Sequence, residues 1–331
     1  MKKAKMLHFL FRLKILVSVL MISSLVARAE AGTVNVAIVG FTVNAAFTTA
    51  KERGYYREEG LDVQFILMNA VVASRALIAR DVEFASLSGA ALTAVLAGAP
   101  LRFLFSSFYR PLLWLYARPD IREVKGLKGK RIGVSSIGSN DDFLLRDLLK
   151  RNGMESDKDI AILGLGGPLG HAALRSGSVD AAVTVLPHNF KLEEEGFREL
   201  VAFIRQDWVD LNGSAVAREG LLQSDPVLVE KFIRGTLKGF LHARDNRSGT
   251  IPIIARYLKI KEDFAGKIYD VTRPIMTPDG TVNEDLQKKA LEPLLKRLGQ
   301  KEPPPVEKIF NYSLVRKVHG ELVAEGWRPG R

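Results

Sequence analysis

The sequence predicts an α/β protein of two lobes with a helical C-terminal part. Three observations carry this reading. Short apolar runs stop at small polar turns that open into helices, once in the first third of the chain and again in the middle. The run Gly213–Ala217 then returns to an apolar strand that fits the first block. From Asp225 onward the apolar spacing becomes helical, and an α/β alternation followed by helices argues for parallel sheets with helical cover.

The clearest unit is Val82–Ser106. Val82, Phe84 and Ala85 form a strand that stops at Ser86-Leu87-Ser88-Gly89. Ala90–Ala97 has apolar groups at helical spacing, and Gly98-Ala99-Pro100 ends it before a strand at Leu101–Phe105. Two strands joined by a crossover helix favour a parallel sheet, in which ligands sit beyond the carboxyl ends of the strands. Val34–Val39 and Leu61–Leu67 are read as earlier strands of the same block, with a helix from about Ala46 to Arg53 and another at Ala73–Ala79. Leu112–Ala117 is a further extended run, placed with this first block.

The middle block repeats the pattern. Arg131–Ser135 is a strand, Ser136–Ser139 a turn, and Asn140–Arg151 a helix with Leu144, Leu145, Leu148 and Leu149 on its apolar face. Ile160–Leu163 and Val179–Val185 are strands, followed by Leu186-Pro187-His188. The expected division is 33–118 plus 208–331 for a discontinuous first lobe and 119–207 for the second. In the C-terminal part Asp225-Pro226 reads as a cap with proline at the first helical position, and Phe232, Ile233, Leu237 and Phe240 share a face. Asn283 caps a later helix in which Pro293 predicts a kink or break.

Charge and composition narrow the function. The chain of 331 residues carries a formal +11, but Lys2, Lys3, Lys5, Arg12, Lys14 and Arg28 precede the first acidic residue. The remainder holds +5 without a Lys/Arg stripe, weak support for nucleic-acid binding. The basic start, the apolar run Ile15–Val26 and small residues at Ala27 and Ala29 predict a signal peptide at 1–29, cleaved near Ala29. Cysteine is absent, so disulfides, thiolate metal sites, cysteine nucleophiles and cysteine-linked lipid anchors are excluded. No Walker loop or nucleophile elbow occurs, and the glycine-rich Gly164–Gly170 lacks the Lys-Ser/Thr ending of a phosphate loop. No cofactor or metal site is expected; His171 and His188 lack metal-ligand spacing.

Five stretches carry a family resemblance: Ala45–Phe65, Ala97–Ser106, Gly126–Met154, Ala173–Pro187 and Phe310–Val318. In order and spacing they resemble substrate-binding proteins of bacterial ABC transporters of the nitrate/sulfonate/taurine type. That group shares its domain with fungal thiamine-pyrimidine synthases. The resemblance implies a type II periplasmic-binding fold with a central cleft, a small polar or anionic ligand, a permease partner in the inner membrane, and a periplasmic location. A monomer is the default expectation. An enzyme related to the pyrimidine synthases is the alternative, opposed by the missing cysteines. The candidate ligand residues are the strand-end turns of both lobes. They comprise Asn44, Ala45, Asn69, Ser88 and Gly89 from the first, and Ser139, Asn140, Gly167, Pro187 and His188 from the second. Arg75 and Arg110 are the cationic candidates, and Tyr109, Trp114, Tyr116 and Trp208 could supply walls. Ser139, before a helix, could hold an oxyanion, while Asp141 and Asp142 are read chiefly as acids that stabilise the helix dipole.

Overall fold

A computed structural model describes residues 32–40, 44–156, 158–166, 169–300 and 302–330. The expected signal peptide lies outside the described residues, as does Gly167. Thr33–Arg331 forms one compact unit. Its described residues build two five-stranded sheets.

The first sheet is formed by β1 (Gly32–Ile38), β2 (Leu61–Leu67), β3 (Phe84–Leu87), β4 (Leu101–Ser106) and β10 (Ser214–Arg218), in the order β2-β1-β3-β10-β4. The second contains β5 (Leu113–Ala117), β6 (Arg131–Val134), β7 (Ala161–Gly164), β8 (Ala181–Val185) and β9 (Arg198–Ala202), in the order β7-β6-β8-β5-β9. The two orders are the same pattern. In each, β1 or β6 pairs parallel with β3 or β8, and one antiparallel strand, β10 or β5, is inserted before the edge.

This corrects one boundary. Leu113–Ala117, expected with the first block, pairs along its whole length with β8, from Leu113↔Val185 to Ala117↔Ala181. The first crossing between sheets therefore lies at 107–112 rather than at 118. The second lies at 203–213, and the backbones of the two are hydrogen-bonded. Ser107 N donates to Gly213 O at 3.3 Å, Phe108 N to Asn212 O at 3.0 Å and Asp210 N to Tyr109 O at 3.3 Å.

Helices cover both faces of the first sheet. On one side α1 (Ala45–Glu52) and α2 (Tyr55–Glu58) meet Val36, Ile38 and Phe84; on the other α3 (Ala70–Ala79) and α4 (Gly89–Leu96) meet Ala85 and Leu87. In the second lobe α5 (Asn140–Arg151) buries Leu145 and Leu149 against Leu115 and Ile132. On the opposite face α6 (Gly170–Arg175) and α7 (His188–Glu194) bring Leu174 and Leu192 to Trp114 and Tyr116.

The C-terminal part consists of α8 (Glu219–Ser224), α9 (Pro226–Asp245), α10 (Arg247–Leu258), α11 (Glu262–Thr272), α12 (Glu284–Leu298) and α13 (Ser313–Ala324). Helix α9 starts where expected: the Asp225 carboxylate accepts from Leu228 N at 2.9 Å, and Pro226 needs no partner for a missing N–H. Its Phe232 stacks on Phe84, with ring centroids 3.8 Å apart, and on Tyr56 at 5.4 Å. A glycine at 239 lets α9 approach α1 closely; a Cβ there would lie 2.3 Å from Ala46 O. Helix α12 runs through Pro293 without the expected break. Its buried Ala290, Leu291, Leu294 and Leu295 are held in the core on both sides of the proline, which fixes the helical path despite the lost N–H.

Candidate functional site

The tips of the two lobes meet over the second crossing. Ser88 precedes α4 of the first lobe, and Asn140 begins α5 of the second. Both donate to the carboxylate of Asp210, Ser88 to Oδ1 and Asn140 to Oδ2, and Asn212 adds a donor to Oδ2 at 2.5 Å. Gly89 faces Asn140 so closely that a Cβ would stand 3.4 Å from its Oδ1. A cavity of about 30 Å³ remains between Gly89, Asn140, Phe143, Trp208, Asp210 and Leu294, room for a water-sized guest.

Asp210 is 4% exposed. Burial pushes its pKa up to about 6, against the hydrogen bonds from Ser88, Asn212 and Asn140 that favour the charged form. It binds a residue of each lobe and sits between them.

The expected site residues divide into three groups. Ser88, Gly89 and Asn140 come together at this contact. A second group is engaged locally. Asn69 caps α3, its Oδ1 accepting from Val72 N at 2.9 Å. Ser139 does not hold an open oxyanion cradle, because its hydroxyl is bonded to Asp141 and to Ser136 O. Asp141 also accepts from Ser135 N at 2.5 Å and Ser135 Oγ at 2.7 Å, while Asp142 accepts from Gly138 N at 2.8 Å and Arg146 Nε at 2.7 Å. The chain's own carboxylates thus fill the anion position at this helix start. Arg110 braces the crossings: its guanidinium donates to Gln206 O and to Trp208 O at 3.4 Å, and lies over the Tyr109 ring. Arg75 points outward from α3 and is exposed.

The third group lines strand ends with unused polar atoms. Asn44 is fully buried ahead of Ala45, the first residue of α1; its Nδ2 donates to Gly40 O, and its Oδ1 has no partner among the described residues. Ser86 Oγ on β3 is likewise buried and unpaired. Across the second lobe, Pro187 is buried and precedes His188, whose ring stacks on His171 at 5.3 Å. Burial, then His171 and Lys191, pull the His188 pKa down, so the ring is neutral at pH 7. His188 Nδ1 and Asn189 Oδ1 have no partner among the described residues. Buried polar atoms are rarely left unpaired, so these mark positions where a guest's donors or acceptors would fit. No group of His, Asp and Glu among the described residues is placed to hold a metal ion.

Sequence reasoning missed Asp210, Asn212 and Asn189. Asp210 lies in a stretch with no motif, and its partners are distant in sequence. Of the aromatics named as possible walls, Trp114 and Tyr116 are buried on the face of β5 that carries α7, whereas Trp208 lies on the opposite face beside Phe203.

Comparison with known proteins fits this architecture. The riboflavin-binding protein RibY of Chloroflexus aurantiacus is 28% identical over 203 residues, 59% of this chain; the match spans 57% of the relative's length. The alkanesulfonate-binding protein SsuA of Xanthomonas axonopodis pv. citri, bound to MOPS, superposes with a TM-score of 0.67 at 20% identity. That match covers 88% of this chain and 98% of SsuA. The desulfurization enzyme DSZB superposes with a TM-score of 0.65 at 17% identity, covering 87% and 99%. These structural likenesses establish a fold shared by binding proteins and at least one enzyme. The NMT1/THI5-like profile matches residues 42–248. With that match spanning more than half of its length, the chain belongs to the NMT1/THI5-like family.

Proposed function

We propose that this chain is an extracytoplasmic solute-binding protein. It captures a small molecule between its lobes and delivers it, unaltered, to an ABC permease in the inner membrane. The observation that carries the reading is the convergence of Ser88 and Asn140 on Asp210. Two lobes of matching strand order meet through their strand-end turns over a hydrogen-bonded pair of crossings, the arrangement of a hinge-closing binder. The unpaired polar atoms of Asn44, Ser86 and His188 supply recognition groups on both sides. Export through a signal peptide at 1–29 and a monomeric state complete the proposal. Among the described residues no helix is long and apolar enough to cross a membrane.

The relatives suggest riboflavin and alkanesulfonates as first ligands to try. A thermal-shift screen of the purified chain with these compounds is expected to raise the midpoint for a ligand through mass action. Ser88→Trp should abolish that rise by wedging the tips apart. A ligand whose effect survives both Ser88→Trp and Asn140→Trp would overturn the site. The likeness to DSZB favours a second reading, an enzyme on the same fold. Recovering the bound compound chemically unchanged after prolonged incubation separates binder from enzyme.

A further inference from the structure

Beside the tip contact lies a separate groove of about 830 Å³, within the range of small-molecule sites. It runs between β5, β9 and α7 of the second lobe and the corner from Asp270 to Ile275 of the first. None of Ser88, Gly89, Asn140 or Asp210 lines it. Its floor is aromatic: Trp114 and Tyr116 are buried there, on the face of β5 away from α5. Phe190 forms a side wall and stands edge-on to Phe264, with centroids 5.4 Å apart. Pro274 and Ile275 line it from the other lobe. Such walls suit a flat, largely apolar body.

The polar groups are chiefly acceptors. Asn189 lines the groove at 2% exposure, and its Oδ1 has no hydrogen-bond partner among the described residues. Glu193, one turn along α7, has no ion-pair partner among the described residues, and its charge, with that of Glu199, raises the pKa of the buried Tyr116 phenol beyond what burial alone does. Of the rim cations, Arg205 is paired with Glu199, and Arg198 has no ion-pair partner among the described residues. Asp270 is paired with Arg247 at 2.9 Å. Glu193 and Arg198 are therefore the lining charges left without an ion-pair partner among the described residues, and the buried unpaired atom is an oxygen.

We propose that this groove binds a flat aromatic molecule bearing N–H donors or a positive charge, its ring against Phe190 above the buried Trp114 and Tyr116 and its donors toward Asn189 Oδ1 and Glu193. The assignment is of a second site, apart from the one between the lobe tips, and stands independently of the solute held there. A cation over these rings gains from their quadrupoles as well as from the carboxylate.

The test uses two flat fluorescent probes on the full chain: proflavine, a cation with two aromatic amines, and 2-naphthalenesulfonate, an anion. Proflavine is expected to bind and to quench tryptophan emission, with the sulfonate at least about tenfold weaker. Phe190→Ala, Glu193→Gln and Asn189→Leu should each weaken proflavine by about fivefold or more, with circular dichroism confirming the fold. Trp114→Phe should keep the binding and lose most of the quenching, which places the probe in the groove. Equal affinity for the two probes, or unchanged proflavine binding in both Glu193→Gln and Asn189→Leu, overturns the proposal. If proflavine fails while another solute binds and is blocked by Ser88→Trp, the groove assignment falls and the solute-binding reading stands. If proflavine binds as described but is chemically altered, the groove stands and the transport reading falls.

Discussion

Replacing Asp210 by asparagine tests the contact between the lobes. The carboxylate is buried and accepts from Ser88, Asn140 and Asn212, yet its pKa is pushed up to about 6 from an ordinary 3.8. The three side-chain donors and the Leu211 N–H therefore do not fully offset the desolvation of the charge. Because the folded-state value lies above the unfolded one, the folded chain holds this proton more tightly. The resulting stability is fully present below pH 3.8 and is lost as pH rises through 6. The difference of about two pH units corresponds to about 3 kcal/mol at neutral pH. An amide at this position carries no charge. Its oxygen can accept from Asn140 and Asn212, and its nitrogen can donate to Ser88 Oγ, so each side-chain partner keeps a bond.

The predicted result is a pH-dependent difference between two proteins. Urea unfolding of wild type and Asp210→Asn at steps from pH 4 to pH 8 should show the variant gaining on the wild type by up to about 3 kcal/mol as pH rises. Measuring the difference is essential, because other groups act in the same window. Burial and then Arg53 press the pKa of His242 down to about 4, so its contribution is present above 6.5 and lost as pH falls toward 4. His188 acts in the same direction, and both cancel in the comparison. Parallel curves, or a variant that loses stability relative to wild type at pH 8, would refute the reasoning.

Two packing predictions follow from the first lobe. Gly239→Ala places a methyl 2.3 Å from Ala46 O and 2.6 Å from Ala50 N, so α9 must lift from α1; a loss of about 1–3 kcal/mol or more is expected in urea unfolding. Phe232→Ala empties the space between Phe84 and Tyr56 and should cost about 3–5 kcal/mol, with Phe232→Leu recovering a good part; a cost below about 1 kcal/mol would show that the stack does not hold the sheet to α9.

Local grammar was legible where neighbouring residues decide it. The caps at Asp225 and Asn283 form as read, each accepting at 2.9 Å from the residue three further on. Strand-end turns were also legible, since small polar residues bounded apolar runs. Pairing was not. Leu113–Ala117 has the same apolar character whichever sheet receives it, and its place is decided by β8, some 70 residues away. Pro293 shows the same override, with core contacts on both sides outweighing a local breaking signal. At the site, Ser139 looked like an anion holder, but its nearest anion is Asp141, two residues away. Ser88 was placed correctly as a tip, while its partner Asp210 stands 122 residues further along. The acceptors of the lateral groove, Asn189 and Glu193, lie in a stretch without a motif.

The swapped strands explain why Asp210 stands where it does. Strand β5 enters the second sheet directly from the first crossing, and β10 enters the first sheet directly from the second. Each inserted strand is hydrogen-bonded on both sides, β5 to β8 and β9, β10 to β3 and β4. Neither sheet can turn without carrying its inserted strand, so rotation between lobes must be absorbed by 107–112 and 203–213. The paired backbone bonds of Ser107, Phe108 and Tyr109 with Gly213, Asn212 and Asp210 keep those segments together, so they bend as one ribbon. A side chain fixed on that ribbon can hold both lobe tips at once. Asp210 is such a side chain, and its bonds to Ser88 and Asn140 stabilise only the arrangement in which the tips meet.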